Sequence, residues 1–163
     1  MKKLLVILCC FVAVSSFAQE SLPELLKKYN TKNIPYISVQ ELAMPKTKAI
    51  ILDAREKEEY QTSHLKNAVY VGYTNFSVDS VIKKLPNKNK TIVVYCSIGI
   101  RSETIAFKLK KAGYDQVFNL YGGIFEWKNN HFLVFDSTNT ETDKVHVFSK
   151  EWSKWLKSGI KVY

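Results

Sequence analysis

Two stretches of this chain, AIILD at 49–53 and TIVVY at 91–95, are apolar in nearly every position instead of alternating. A strand written that way has both faces withdrawn from water, as at the centre of a parallel sheet covered by helices. Three further runs rich in β-branched and aromatic residues read as strands: YISV at 36–39, AVYV at 68–71 and VFNL at 117–120. Amphipathic segments at 39–43, 56–61, 77–84 and 102–112 fall between them and read as helices. Ahead of the first strand, SLPELLKKYN sets Leu22, Leu25, Leu26 and Tyr29 at helical spacing, with Pro23 in the first turn. The alternation predicts an α/β fold: a three-layer α/β/α sandwich around a central, mainly parallel five-stranded sheet, with short connections and right-handed crossovers. A chain of 163 residues, 46% hydrophobic, has ample material for one such core.

The two ends read differently. LVFD at 133–136 and KVHVF at 144–148 flank the polar STNTETD and suggest a hairpin with a longer loop. SKEWSKWLKSG then places Trp152, Trp155 and Leu156 on one face of a terminal helix that stops at Gly159, with the tryptophans as core anchors. Residues 136–163 are therefore expected to form a C-terminal hairpin and helix extension packed on a domain spanning 19–135. At the front, Lys2 and Lys3, the apolar run from Leu4 to Val14 and the small-x-small site Ser16-Phe17-Ala18 have the layout of a signal peptide over 1–18, with cleavage before Gln19. The run is shorter than the ~20 apolar residues needed to span a bilayer. The expectation is an exported protein, periplasmic or secreted, with no stable membrane span after cleavage. Lipid attachment at Cys9 or Cys10 is disfavoured by bulky Ile7 and Leu8 before them.

Processing changes the cysteine arithmetic. Of three cysteines, Cys9 and Cys10 leave with the signal and Cys96 alone remains, so no intramolecular disulfide can form. A single thiol in an oxidising compartment is either buried and inert or used for its reactivity. The formal charge of +9 stays positive after the loss of Lys2 and Lys3 and favours anionic small molecules or an anionic surface. Nucleic acid is not an expected partner, because the lysines are scattered instead of gathered on one segment with interleaved aromatics.

Cys96 lies one residue past TIVVY, on the sheet edge where open α/β folds bind ligands. The stretch YCSIGIRS continues into a helix for which Ser102 is the expected N-cap, with Glu103 in the first turn, Ile105, Ala106, Leu109 and Ala112 facing inward, and Gly113 as terminator. Unpaired N–H groups and the positive dipole end of that helix allow Ser97, Ile98, Gly99, Ile100 and Arg101 to curl into a cradle of donors around the sulfur. Such a cradle lowers a thiol's pKa, and the Arg101 guanidinium can bind an oxyanion or brace the loop. The pattern predicts a thiolate nucleophile with an anionic substrate or product. The inert alternative is a buried cysteine in a tight turn.

The stretch CSIGIRSETIAFKLKKAGYDQVFNLYGGIFEW closely resembles the active-site half of rhodanese-like domains, and ILDAREKEEYQTSHLKNAVYV resembles the family's other signature. Together they cover most of residues 36–127. The resemblance implies a parallel-sheet α/β domain and sulfurtransferase chemistry without metal or organic cofactor. In that chemistry the Cys96 thiolate takes the outer sulfur of thiosulfate, a polysulfide or a persulfide, becomes a persulfide, and passes the sulfur to a thiol acceptor. Cysteine-dependent phosphatases carry a loop one residue longer between Cys and Arg, usually with His before the Cys, where this chain has Tyr95. Asp53, at the end of AIILD, is a supporting candidate that orients Arg or the loop amides; the competing reading is a strand-end turn with Arg55 as partner. Arg55 reads as structural, binding Glu59 or Asp53. His64 matches the family's histidine and is expected to pin a turn, and His146 to be structural or exposed; no pair or cluster suggests a metal site. Gly122-Gly123 is expected to turn the backbone beside the active loop, with Phe125 and Trp127 packing beneath.

Departures from the family pattern fall at Ser63, where Gly is common, and at His131 and Leu133, where Gly and Pro are common. Ser97 and Ile98 offer the pocket mouth a hydroxyl and an apolar group instead of cations, so thiosulfate itself is not assured as the donor. The competing function is a rhodanese-like binding module without turnover, against which Cys96, Gly99 and Arg101 all stand retained. A sulfide-sensing thiol is a third reading, but it would have no resolving cysteine in the mature chain.

Overall fold

The computed structural model describes residues 20–163. The expected signal segment, with Cys9 and Cys10, lies outside these residues. Five strands form one all-parallel sheet: β1 (Tyr36–Ile37), β2 (Ile50–Asp53), β3 (Val69–Tyr70), β4 (Ile92–Tyr95) and β5 (Val117–Leu120), in the order β1-β5-β4-β2-β3. The two runs without alternation, β2 and β4, are adjacent and central. Side-chain parity along β4 sorts the core into two layers. Ile92 and Val94 join Leu52, Ile105, Ala106 and Leu109 on one face, while Val93 and Tyr95 join Leu25, Val39, Leu42, Ile124 and Phe125 on the other.

The first face is covered by α4 (Val78–Lys84) and α5 (Arg101–Lys111), which supply Val81, Ile105, Ala106 and Leu109. The second is covered by α1 (Leu22–Tyr29), α2 (Val39–Ala43) and α6 (Gly123–Asn129). The remaining helix, α3 (Lys57–Thr62), leads from β2 toward β3. Local chemistry explains the starts. Ser21 and Glu24 form a capping box before α1, Ser38 caps α2 and so ends β1 early, and Ser77 caps α4.

Three expectations are corrected. The helix after Cys96 starts at Arg101 with Ile100 in the N-cap position and no side-chain cap, because the Ser102 hydroxyl is turned to Asn119 and the Cys96 sulfur. The hairpin forms between β6 (Val134–Phe135) and β7 (Glu141–Thr142), not with KVHVF. Asp136 closes its loop by accepting from the amides of Thr138 and Thr140, which brings the chain back before it reaches Lys144. The terminal segment is not a helix: Trp152–Trp155 make a single 3-10 turn, and the chain then reverses at Gly159 into β9 (Ile160–Val162), parallel to β8 (Lys144–His146). Pairing with β8 satisfies backbone groups that an isolated short helix would leave to water.

The extension is part of the second core layer. Val145, Val147 and Leu156 are buried there, with Trp152 and Trp155 packed against them. Lys128 of α6 reaches Asp143 at 2.6 Å, and Asn129 accepts from the Lys157 amide and donates to the Trp155 carbonyl. Among the described residues no helix is long and apolar enough to cross a membrane.

Candidate active site

Cys96 follows β4 directly, so its place is fixed by the most buried strand of the sheet. Its sulfur accepts the Gly99 amide at 3.1 Å, with the Ser102 hydroxyl at 3.5 Å. The bend that aims the Gly99 N–H at the sulfur needs φ of 103° at that residue, a conformation open to glycine. Burial pushes the thiol up, but the Arg101 charge and the hydrogen bonds from Ser102 and Gly99 outweigh it, and the thiol sits below its ordinary value. Only 1% of Cys96 is exposed, yet it faces a cavity of about 230 Å³.

The loop is held from three sides. From below, α6 docks end-on: Ile124 N–H donates to the Cys96 carbonyl at 2.9 Å and Phe125 N–H to the Ser97 carbonyl at 3.1 Å. Gly123 makes this approach feasible, since a Cβ there would lie 2.2 Å from the Cys96 carbonyl oxygen. From the side, Asn119 of β5 donates to the Gly99 carbonyl at 2.8 Å and accepts from Ser102 at 2.7 Å. Asn30, after α1, donates to the same Gly99 carbonyl at 2.9 Å. Turning the loop carbonyls toward these donors leaves the amides free to face the sulfur.

Glu59 of α3 holds the third side. Arg101 meets it in a two-pronged pair of 2.6 and 2.7 Å, and Ser97 donates to it at 3.0 Å. Burial raises the Glu59 carboxyl, but the Arg101 hydrogen bonds and charge more than offset this and hold it below the usual carboxylate range. Arg101 therefore braces the loop, with its guanidinium carbon 4.7 Å from the centre of the Phe148 ring.

Rhodanese-like domain is the family description whose sequence pattern matches residues 38–130. The chain belongs to the rhodanese-like domain family. Thiosulfate sulfurtransferase GlpE of Coxiella burnetii is 31% identical over 100 residues, which cover 61% of this chain and 90% of that protein. A tRNA uridine(34) hydroxylase of Onion yellows phytoplasma is 37% identical over 103 residues, 56% of this chain but 32% of the hydroxylase, so this chain spans about a third of that relative. The crystal structure of a thiosulfate sulfurtransferase from Pseudomonas aeruginosa shares the fold with a TM-score of 0.58, covering 76% of this chain and 23% of the other at 24% identity. That of the BH2092 protein from Bacillus halodurans gives 0.57 over 72% and 88% at 24% identity.

Within this rhodanese-like domain the loop residues Cys96 to Ser102 converge as one unit, whereas Asp53 and Arg55 sit outside the cavity. Both are wholly buried and pair at 2.7 Å. Asp53 also accepts from the Tyr95 hydroxyl, and Arg55 donates to the Ser63 carbonyl. They position Tyr95, the residue before Cys96, and do not line the cavity. His64 stacks on Tyr60, contacts the Tyr60 carbonyl at 3.1 Å and pairs through its backbone with Phe135, which pins the turn before β3.

Several participants lie outside the expected site residues, Asn30 at the Gly99 carbonyl and Tyr73 on the cavity wall among them. Asn119 is a polar side chain inside VFNL, and that oddity was the available signal. Of the two carboxylates expected for Arg55, Asp53 is its partner, and Glu59 belongs to Arg101. Phe148 and Trp152 line the cavity from the extension, and no local pattern ties them to a loop about fifty residues earlier. Among the described residues no group of three or more His, Cys, Asp or Glu is gathered for a metal.

Proposed function

We propose that the protein is a sulfurtransferase in which Cys96 carries sulfane sulfur from thiosulfate, a polysulfide or a persulfide to a thiophilic acceptor. One observation carries this reading: the Cys96 sulfur, favoured as thiolate, receives the Gly99 N–H at 3.1 Å at the floor of an open cavity. A thiolate so placed attacks the outer sulfur of a donor, the donor's S–S bond breaks, and its remainder leaves with the electron pair. The resulting persulfide is anionic, and the donors that favour the thiolate serve it equally. The acceptor thiolate then attacks the outer sulfur and releases Cys96. The relative covered across 90% of its length supports this chemistry more directly than the one covered across 32%.

Intact-mass analysis tests the first step. Incubation of the reduced, folded protein with a sulfane donor should add about 32 Da, and Cys96→Ala should take up none. No gain with thiosulfate, polysulfide or persulfide would move the function to a binding module. The reading also takes the protein to be exported, with residues 1–18 removed. The mass of the protein recovered from the cell envelope should begin at Gln19, and an intact Met1 or Lys2 terminus there would reject it.

A further inference from the structure

The cavity over Cys96 has a wall that the matched family segment does not contain. Residues 38–130 carry the family match, while Phe148 and Trp152 come from the extension and join Tyr73, Ile98 and Ile100 around the opening. At about 230 Å³ the space exceeds the ~150 Å³ that accommodates benzene in an apolar protein cavity.

Charge at this site opposes a dianion. The guanidinium of Arg101 is engaged by both oxygens of Glu59. Thiolate, carboxylate and guanidinium together carry one net negative charge before a substrate arrives, and apolar walls strengthen the repulsion a second anion feels. The doubly charged thiosulfate would shed its water to enter without gaining a free cation.

Phe148 is built in an unusual way. Its φ is 64°, and the Ser149 amide bonds the Val147 carbonyl at 2.6 Å across it, a three-residue turn of the rare positive-φ kind. Bulky residues seldom adopt this conformation, and such strain gathers at ligand clamps. The residue is 51% exposed and is not one of the buried core residues, unlike its neighbour Val147. Its face lies against Arg101. A side chain held in strain, left out of the core and turned to the cavity mouth is arranged for a ligand.

We propose that the site selects sulfur carriers bearing a hydrocarbon or aryl group, organic persulfides or thiosulfonates, over inorganic thiosulfate, with Phe148 and Trp152 as the residues that set the choice. The inference rests on the sulfurtransferase reading above. With a persulfide R–S–SH, the Cys96 thiolate bonds to the terminal sulfur, the original S–S bond breaks, and R–S⁻ departs with its electron pair. The proton stays with the transferred sulfur or passes to water. A thiosulfonate R–SO₂–S⁻ reacts likewise and releases the sulfinate R–SO₂⁻. Neither transfer requires an oxidant or reductant. In each case the group R rests on the aromatic wall while the outer sulfur meets Cys96.

Benzenethiosulfonate and methanethiosulfonate carry the same charge and differ in hydrocarbon, so their rates of sulfur loading separate the two causes. Each rate, followed by intact mass on the full protein, is divided by that of a small free thiol to remove intrinsic reactivity. The expected preference for the benzene compound is about tenfold or more, with thiosulfate slower than either. Phe148→Gly suits the positive φ and removes the ring, so the ratio should fall toward one; Trp152→Ala should lower it too. Equal normalised rates in the wild type, a ratio unchanged in Phe148→Gly, or faster loading from thiosulfate than from benzenethiosulfonate would overturn the proposal alone. No loading from any donor, polysulfide included, would overturn the sulfurtransferase reading and this inference with it.

Discussion

In the proposed reaction Cys96 attacks only as thiolate, so the groups that shift its proton equilibrium also set its rate. Burial alone would favour the neutral thiol; the Arg101 charge, Ser102 and the Gly99 amide reverse the balance. Since the folded thiol is held below its ordinary value, the loading rate should rise with pH and level off below the range of an unperturbed cysteine. Arg101→Gln removes the main opposing charge while keeping a donor for Glu59, so the inflection should move to higher pH; an inflection that stays put would deny Arg101 that role. The identities of Cys96, Gly99 and Arg101 were legible because short spacing at a strand end constrains them. The pairing of Arg101 with Glu59 was not, since 42 residues separate them and several carboxylates could have served.

Among the elements, α6 was the one helix not foreseen, and its reason is physical. Gly122 at the N-cap offers no side-chain cap, Gly123 brings glycine's weak helix propensity to the first turn, and the seven residues are too few to stand alone. The helix exists because its first amides bond the Cys96 and Ser97 carbonyls and because Ile124 and Phe125 enter the core. Gly123→Ala forces a Cβ against the Cys96 carbonyl at a residue whose φ is 56°. Urea unfolding should show a loss of ~2–4 kcal/mol, and sulfur loading should slow in the fraction that remains folded. A variant with wild-type stability would mean that the loop and α6 can part without cost. The other elements were legible from their period: the five strands, and the helices α2 and α4, which the structure shows capped by Ser38 and Ser77.

At the scale of the whole molecule, the extension is structural as well as a wall of the site. Val145, Val147 and Leu156 are buried in the layer that contains Tyr95 and Phe125. At ~1.5–3 kcal/mol for each buried side chain, their removal rivals the ~5–15 kcal/mol that holds a typical domain folded. A chain ending at Asp136 should therefore lose its cooperative transition in urea, as followed by circular dichroism; a sharp transition at the wild-type midpoint would make the extension an appendage. What the sequence determined by itself was the central sheet and the place of Cys96 and its loop at the sheet's edge, because hydrophobic period and a strand-to-helix junction act over a few residues. The tertiary structure alone decided the rest: Glu59 beside Arg101, Asn119 beneath Gly99, α6 against the loop, and the strand pairing of the tail. Those contacts join segments far apart in the chain, and partner choice at such distance depends on packing in three dimensions, which no local pattern records.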